Sequence, residues 1–322
     1  MPELSVIIVN WNSRDFLRPC LASLNAHGRG VSMEVIVVDS GSFDGAGDML
    51  ARDFPAVKFI QSERNVGFAK ANNLGARSAR GPILWFLNPD TELTENSPRI
   101  LLEKLAGLPE AGAIGCKLLN SDRSLQAACV QAFPTLFNQV FNSEYLRQRF
   151  PLWKTWGNGV LRATPPRTEK VELISGACIM AKREVFERVG GFTEQYFMYG
   201  EDADLCFKIG RAGYGVYYTP ETSLVHYGGG CSRQAPTNFS NVMMRESVFR
   251  FLKLNRGRSY ATAYRVAMGV SSVIRLPLIF LLLPVSSRQV VRHGPGSLQK
   301  WFSILRWGLG LESWVQTYPE TA

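Results

Sequence analysis

At 322 residues, 46% hydrophobic and 11% aromatic, the sequence can bury one large core and carry an appended segment, which excludes a disordered or fibrous chain. The net charge of +9 is uneven: residues 1–240 hold 25 Lys/Arg against 24 Asp/Glu, whereas residues 241–322 hold 11 against 3. A uniformly basic surface, as nucleic acid would require, is thereby excluded, and a basic tail carrying Trp and a Leu/Ile/Phe run points instead to anionic lipid.

The six cysteines form no CxxC pair, and at least four fall inside apolar or helical patterns, which fits a reduced cytoplasmic setting. The first apolar run, Leu4 to Val9, is too short for a signal peptide and lacks a basic stretch before it, so a cytoplasmic start is expected.

Apolar runs without alternation then take turns with helical patterns: LSVIIVN, a helix from about Ser13, EVIVVDS, a helix near Gly45 to Asp53, and VKFIQ. Such runs suit strands covered on both faces, so a mostly parallel sheet is expected. In the first helix Phe16, Leu17, Cys20, Leu21 and Leu24 form one apolar stripe, with Ser13 placed to cap it. A helix around Val66–Ala79 leads through Gly81-Pro82 into ILWFLNPD, a helix follows from about Glu95 to Gly107, and AIGCKLL continues the sheet. Residues 121–168 show no clear period and read as an irregular excursion. VELISGACIMAKREVFERVGGF reads as strand, turn and short helix, and FMYGEDADLCFKIGRAGYGVYYTP as a helix opening with acids and then a strand. The catalytic domain is expected to span residues 1–255, with a helical tail over 256–322.

Ligands of open α/β sheets bind where strands end, so polar residues directly after strands carry most weight. Asp39 ends IVVDSGSFDG; its carboxylate could accept bonds from a ribose hydroxyl or a base N–H, or could simply close an Asx-turn, with Asp44 within reach. Asp90 ends WFLNPD, where proline holds an amide and a carboxylate in one turn, oxygen ligands that suit a hard divalent cation, although Asn-Pro-Asp is also a common turn. Glu201, Asp202 and Asp204 open a helix, as the dipole favours on its own account, but the Gly- and aromatic-rich GGFTEQYFMYG before them suits a loop lining a sugar site. His226 closes TSLVH before three glycines and could be a ligand or a structural histidine. Asn65 to Gly75, with Gly67, Lys70, Asn72 and Asn73, could offer amides and a cation to a nucleotide, or be a glycine-started helix with polar exposed residues.

Taken in order, SVIIVNWN, VVDSGSFDG, NVGFAKANNLG, FLNPD, SGACIMAKREVFERVGGF and FMYGEDADLCFKIGRAGY resemble an inverting family 2 glycosyltransferase of the GT-A fold, and within it the bacterial rhamnosyltransferase-like group, over about residues 3–255. The resemblance implies a donor site of Asn10, Asp39, Asn65, Gly67, Lys70, Asn73 and Asn88, in which Asp39 binds the nucleoside. It implies a Mg2+ or Mn2+ held by Asp90, last in the family's Asp-x-Asp motif, and by His226. This chain has Asn88 at the first motif position, one anionic ligand fewer. Asp202 matches the family's general base, beside Glu201. The implied reaction moves a sugar, foremost rhamnose from deoxythymidine diphosphate rhamnose, to a glycan or polyprenyl-linked saccharide in cell-surface polysaccharide synthesis. A uridine diphosphate hexose or hexosamine donor is the alternative, and a catalytically silent carbohydrate-binding homologue is the reading from another class. No GxGxxG follows the first strand, which argues against a dehydrogenase.

In the tail, VAMGVSSVIRLPLIFLLLPV is broken by Arg275, Pro277 and Pro284, leaving an apolar core of about ten residues, half of what a membrane span needs. With Trp301, Trp307, Trp314 and Arg288, Arg292, Lys300, Arg306 around it, the segment is expected to lie on the inner membrane face, or else to pack on the catalytic domain or a second subunit.

Overall fold

A computed structural model describes residues 1–42, 44–141, 149–150, 153, 167–228, 238–282 and 288–317. Cys231, Gly229, Gly230, Leu283, Pro284 and residues 142–148, 151–152 and 154–166 of the expected excursion at 121–168 lie outside these residues, as do the side chains of Arg288 and Arg292. Two units are distinguished: one comprises Met1–Phe133, Phe150–Phe197 and Glu201–Arg233, the other Pro134–Arg149, Met198–Gly200 and Gln234–Ala322.

The first unit opens with β1 (Leu4–Asn10), α1 (Arg14–His27), β2 (Met33–Ser40), α2 (Ala46–Asp53), β3 (Lys58–Ser62), α3 (Phe68–Ser78) and β4 (Ile83–Leu87). Every residue of β1 is buried, which is why it is apolar without alternation. Next come β5 (Thr91–Leu93), α4 (Ser97–Ala106), β6 (Ala111–Leu119), β7 (Val130–Gln131), β8 (Glu169–Val171), β9 (Leu173–Ile174) and β10 (Cys178–Lys182). A nine-stranded sheet has the path β3-β2-β1-β4-β10-β6-β11-β5, where β11 is Gly215–His226 and β8 pairs with β11 off the path. β1, β2, β3, β4, β6 and β11 run in one direction, with β10, β5 and β8 against them, so the sheet is mostly parallel as expected.

Helix α1 buries Leu17, Cys20, Leu21 and Leu24, while Phe16 is only half-buried. Ser13 stands at its N-cap position but makes no side-chain cap bond; its Oγ instead donates to Asn10 Oδ1 at 2.9 Å. Asp44 takes over the capping, accepting from Arg14 N at 2.8 Å and Ala46 N at 3.0 Å. Helix α3 lies close on β1 because Gly75 has no side chain: a Cβ there would sit 2.5 Å from Ile7 Cγ2. The five described cysteines are free and buried.

The second unit holds α5 (Leu136–Val140), and the helices Phe239–Arg256, Arg258–Leu282 and Arg288–Gly308. The short apolar core expected in the tail is corrected here. Arg258–Leu282 is one helix of 25 residues that continues through Arg275 and Pro277, long and apolar enough by length and composition to cross a membrane. Trp307 is likewise not an interfacial residue but a core one, 1% exposed, with its Nε1 donating to Glu246 Oε2 at 2.9 Å. Glu246 also accepts from Arg265 at 2.8 Å, and that guanidinium lies over the Phe249 and Trp307 rings at 4.4 and 4.7 Å, so a buried charge is both paired and faced by aromatic carbon.

Gly67 starts α3 at φ +82°, and a Cβ there would meet Phe197 O at 2.6 Å. Gly67→Ala should therefore cost about 2 kcal/mol or more, from backbone strain plus a clash with main chain that cannot rotate away. Urea unfolding checks this, and an unchanged midpoint would mean that the 65–68 turn is rebuilt.

Candidate active site

Parallel strand pairing places Asn10, Asp39 and Gln61 in one row, because Asn10 is in register with Asp39 and Asp39 with Gln61. Asp39, 1% exposed, accepts from Asn10 Nδ2 at 2.7 Å, Gln61 Nε2 at 2.9 Å and Ser42 N at 2.6 Å. The bond from Ser42 N, three residues on, closes the turn at the end of β2. Gln61 was not singled out from sequence; only the register across β2 and β3 shows it.

Asn65 Oδ1 accepts from Ser40 Oγ and Gly67 N, each at 3.0 Å, which fixes the entry into α3. Lys70 is exposed on that helix. Asn73 is placed elsewhere: its Nδ2 donates to Phe192 O at 2.8 Å and its Oδ1 accepts from Phe192 N at 3.0 Å, so it clamps the loop after Gly191. Asn72 donates to Phe68 O within its own helix.

After β4 the chain turns through Asn-Pro-Asp, and the antiparallel pairing of β5 with β11 brings His226 opposite Thr91. His226 Nε2 lies 3.3 Å from Asp90 Oδ1 and 3.4 Å from Asn88 Nδ2. The Asp90 side chain is 5% exposed and that of His226 15%. Asn88 Oδ1 is buried with no hydrogen-bond partner. Among the described residues no cluster of three His, Cys, Asp or Glu occurs. A divalent cation is nevertheless fitted by the oxygens of Asp90 and Asn88 with one imidazole nitrogen, since an orphaned buried carbonyl is costly unless something coordinates it.

Gln126, also unmarked in the sequence, decides which imidazole nitrogen is free. Its Oε1 lies 2.8 Å from His226 Nδ1, and its Nε2 donates to Asn120 Oδ1 at 3.1 Å and His226 O at 3.3 Å. Asn120 Nδ2 donates to Ser124 Oγ at 2.9 Å, and Ser124 Oγ donates to Asp122 Oδ1 at 2.5 Å. Asp122, whose carboxyl these bonds hold below its ordinary value, can only accept when ionised. The direction of every bond follows from that end: His226 donates from Nδ1 to Gln126, and Nε2 is the nitrogen that faces Asp90.

The acid pair opens the helix Glu201–Arg211. Glu201 is 6% exposed and its Oε2 has no partner; burial, then the neighbouring Asp202 charge, pushes its carboxyl up to about 8. Asp202 is half-buried and also raised by burial, an effect opposed by amide bonds from Gly176 N at 3.0 Å and Ala203 N at 2.8 Å. Two adjacent carboxyls in one low-dielectric place do not both ionise easily, so the accessible, amide-bonded Asp202 carries the charge and Glu201 the proton.

One turn ties the two groups of residues together. Ala177 O accepts from Asn88 N at 3.1 Å, and Gly176 N donates to Asp202 Oδ2 at 3.0 Å. The turn entering β10 thus has the Asn-Pro-Asp corner on one side and the acid pair on the other.

The sequence model described as glycosyl transferase family 2 matches residues 5–190. This chain belongs to that family. The glycosyltransferase also matches the N-terminal domain of galactosyltransferase over residues 160–227. It is 30% identical over 239 residues to the N-acetylglucosaminyl-diphospho-decaprenol L-rhamnosyltransferase of Mycobacterium tuberculosis, covering 70% of this chain and 76% of the relative. It is 24% identical over 231 residues to the rhamnosyltransferase WbbL of Escherichia coli, covering 69% and 82%. A mannosyltransferase from Pyrobaculum calidifontis, solved with GDP-Man and Mn2+, shares the fold with a TM-score of 0.59 at 17% identity, over 97% of this chain and 87% of that one.

Glu201 makes a pH prediction with a definite sign. Its folded value is raised from 4.5 to about 8, so its contribution to stability is complete below the unfolded value and is lost as pH rises through that of the folded form. Glu201→Gln should remove this fall, on the order of a few kcal/mol. Urea titrations across that window should show the variant gaining on the parent as pH rises; parallel curves would mean that Glu201 is ionised when folded.

Proposed function

We propose that this glycosyltransferase moves rhamnose from deoxythymidine diphosphate rhamnose to a polyprenyl-linked saccharide with inversion, in cell-surface polysaccharide synthesis. The observation that carries the reading is the Gly176-Ala177 turn, which holds a cation-fitting corner and an ionised carboxylate on its two sides. Asp202 takes the proton from the acceptor hydroxyl as its oxygen attacks the anomeric carbon, and a single displacement inverts the configuration. Glu201, protonated behind it, keeps a second negative charge away from the base. Asn10, Asp39, Asn65 and Gly67 border the nucleoside, and Lys70 offers a cation. Asp90, His226 and Asn88 would hold Mg2+ or Mn2+, which supplies neutralising charge for the leaving diphosphate. The named activities of the Mycobacterium tuberculosis and Escherichia coli relatives support rhamnose as the sugar. The match to the N-terminal domain of galactosyltransferase favours the second reading, a uridine diphosphate hexose donor.

In the tail, Arg258–Leu282 keeps Ala261, Tyr264, Met268 and Ser272 buried within its own unit, and exposes Val266, Val270, Val273 and Ile274. A helix with one packed face and one apolar exposed face supports a peripheral position on the inner membrane face.

Donor hydrolysis should be screened across nucleotide sugars with and without Mg2+ or Mn2+. Asp202→Asn should lower transfer at least about a hundredfold while donor binding stays within a few fold, and Asp90→Ala should abolish the metal response. Transfer at the parent rate by Asp202→Asn would move the base elsewhere.

Gln126→Leu removes the acceptor that holds the Nδ1 proton of His226. With three histidines in the chain, a nitrogen-15 imidazole spectrum is simple enough to read. The parent should show one Nδ1–H tautomer at His226 and the variant a mixture, with weaker metal binding by calorimetry, roughly tenfold or more. A single unchanged tautomer in Gln126→Leu would show that the relay from Asp122 does not set it.

A further inference from the structure

The three side chains in the row at the ends of β1, β2 and β3 differ in how far they reach the surface. Asn10 is fully buried and Asp39 almost so, whereas Gln61 is exposed. Asp39 is also heavily engaged: its Oδ1 accepts from Ser42 N and Gln61 Nε2, and its Oδ2 from Asn10 Nδ2. A carboxylate so enclosed has almost no surface to offer a ligand, and a group arriving at this end of the sheet meets Gln61 first.

Gln61 is held in one orientation by its partners. Its Nε2 donates to Asp39 Oδ1 and to Ser62 O, each at 2.9 Å. A main-chain carbonyl only accepts, and the Asp39 oxygen already takes the Ser42 amide proton, so the NH2 end of the glutamine must face them both. Oε1 is thereby left over, and among the described residues it has no hydrogen-bond partner. The strand end beneath is rigid. Gly41, at φ +72°, lets the turn after β2 lie against the turn after β3, since a Cβ there would sit 2.5 Å from Arg64 C. Val66 N donates to Ser40 Oγ at 2.9 Å and Ser62 Oγ to Arg64 O at 2.8 Å, which ties the same two turns. An exposed glutamine ordinarily keeps its rotamer freedom. Supporting Asp39 explains one of the two Nε2 bonds; the second fixes the rotation of the amide and leaves a stationary carbonyl at the surface.

A stationary carbonyl beside a carboxylate selects a hydrogen-bond donor. Uracil and thymine carry an imide N–H between two carbonyls, where cytosine carries a lone pair that would oppose Oε1 acceptor to acceptor. We propose that Gln61 reads the base of the donor nucleotide, its Oε1 accepting the imide N–H of thymine or uracil, with Asp39 as the positioning residue that holds the amide for this contact. The inference deepens the proposed function and rests on its nucleotide donor. It serves the deoxythymidine and the uridine donor alike, because the thymine methyl lies across the ring from the imide nitrogen.

Calorimetry on the full chain with Mg2+ present tests this with three probes that share ribose and diphosphate: UDP, CDP and the diphosphate of N3-methyluridine, which lacks the imide proton. The parent should bind UDP at least about tenfold more tightly than either of the others. Gln61→Met keeps the length of the side chain and removes both ends of the amide; it should lose roughly tenfold on UDP and bind the three probes alike. Its thermal midpoint should stay close to the parent value, since the residue is exposed. Equal binding of the three probes by the parent, a measurement that needs no variant, overturns the inference. So does a Gln61→Met that weakens all three by the same factor, which would make Gln61 a support for Asp39 and nothing more. Titration with dTDP keeps this apart from the reading beneath it: a chain that binds dTDP and UDP but ignores the loss of the imide proton keeps its donor class and loses the reader, and a chain that binds neither loses both.

Discussion

The chemistry of the first unit depends on one antiparallel strand set between two parallel ones. β10 pairs with β4 on one side and β6 on the other, which brings the turn before it, Ser175 to Ala177, against the end of β4. A main-chain carbonyl and a main-chain amide of that turn then hold Asn88 and Asp202. Backbone groups are rigid and always present, so the separation of the cation-fitting corner from Asp202 is set by sheet pairing rather than by flexible side chains. The corner at Asn88 and the helix at Asp202 are thereby coupled to a buried part of the sheet, where Trp85 and Phe86 of β4 are fully buried.

Around that turn the polar groups are arranged to limit charge. Glu201 and Asp202 share a desolvated corner: burial and then the Asp202 charge push Glu201 up, while burial also raises Asp202 against the opposing amide bonds from Gly176 and Ala203. A related economy governs His226, whose tautomer is imposed from the exposed Asp122 through Ser124, Asn120 and Gln126. An ionised surface carboxylate has an unambiguous role as acceptor, and each successive group inherits its direction from the one before. The result is an imidazole that donates from Nδ1 to Gln126 and turns its Nε2 toward Asp90.

The second unit treats charge in the opposite way. Arg265 is matched by Glu246 and by aromatic faces, while among the described residues Arg245 and Arg275 meet an amide oxygen, a main-chain carbonyl and an indole ring rather than an acid.

The alternating grammar of the first 120 residues was legible by itself, because strands covered on both faces must be continuously apolar and helices must show one apolar stripe. The strand-end acids and the family followed from the same text, since Asp39, Asp90 and Asp202 stand in ordered motifs. Local pattern could not reveal what depends on pairing between distant segments. The insertion of β10, the row of Asn10, Asp39 and Gln61, the clamp made by Asn73, and the bond from His226 to Gln126 join residues between 22 and 119 positions apart. Ser13 failed as a cap because the end of β1 offered its hydroxyl a better acceptor. In the tail, Arg275 and Pro277 looked like interruptions, yet the helix continues because Arg275 finds the carbonyl of Val140 and the face of Trp301, partners that only the folded second unit provides.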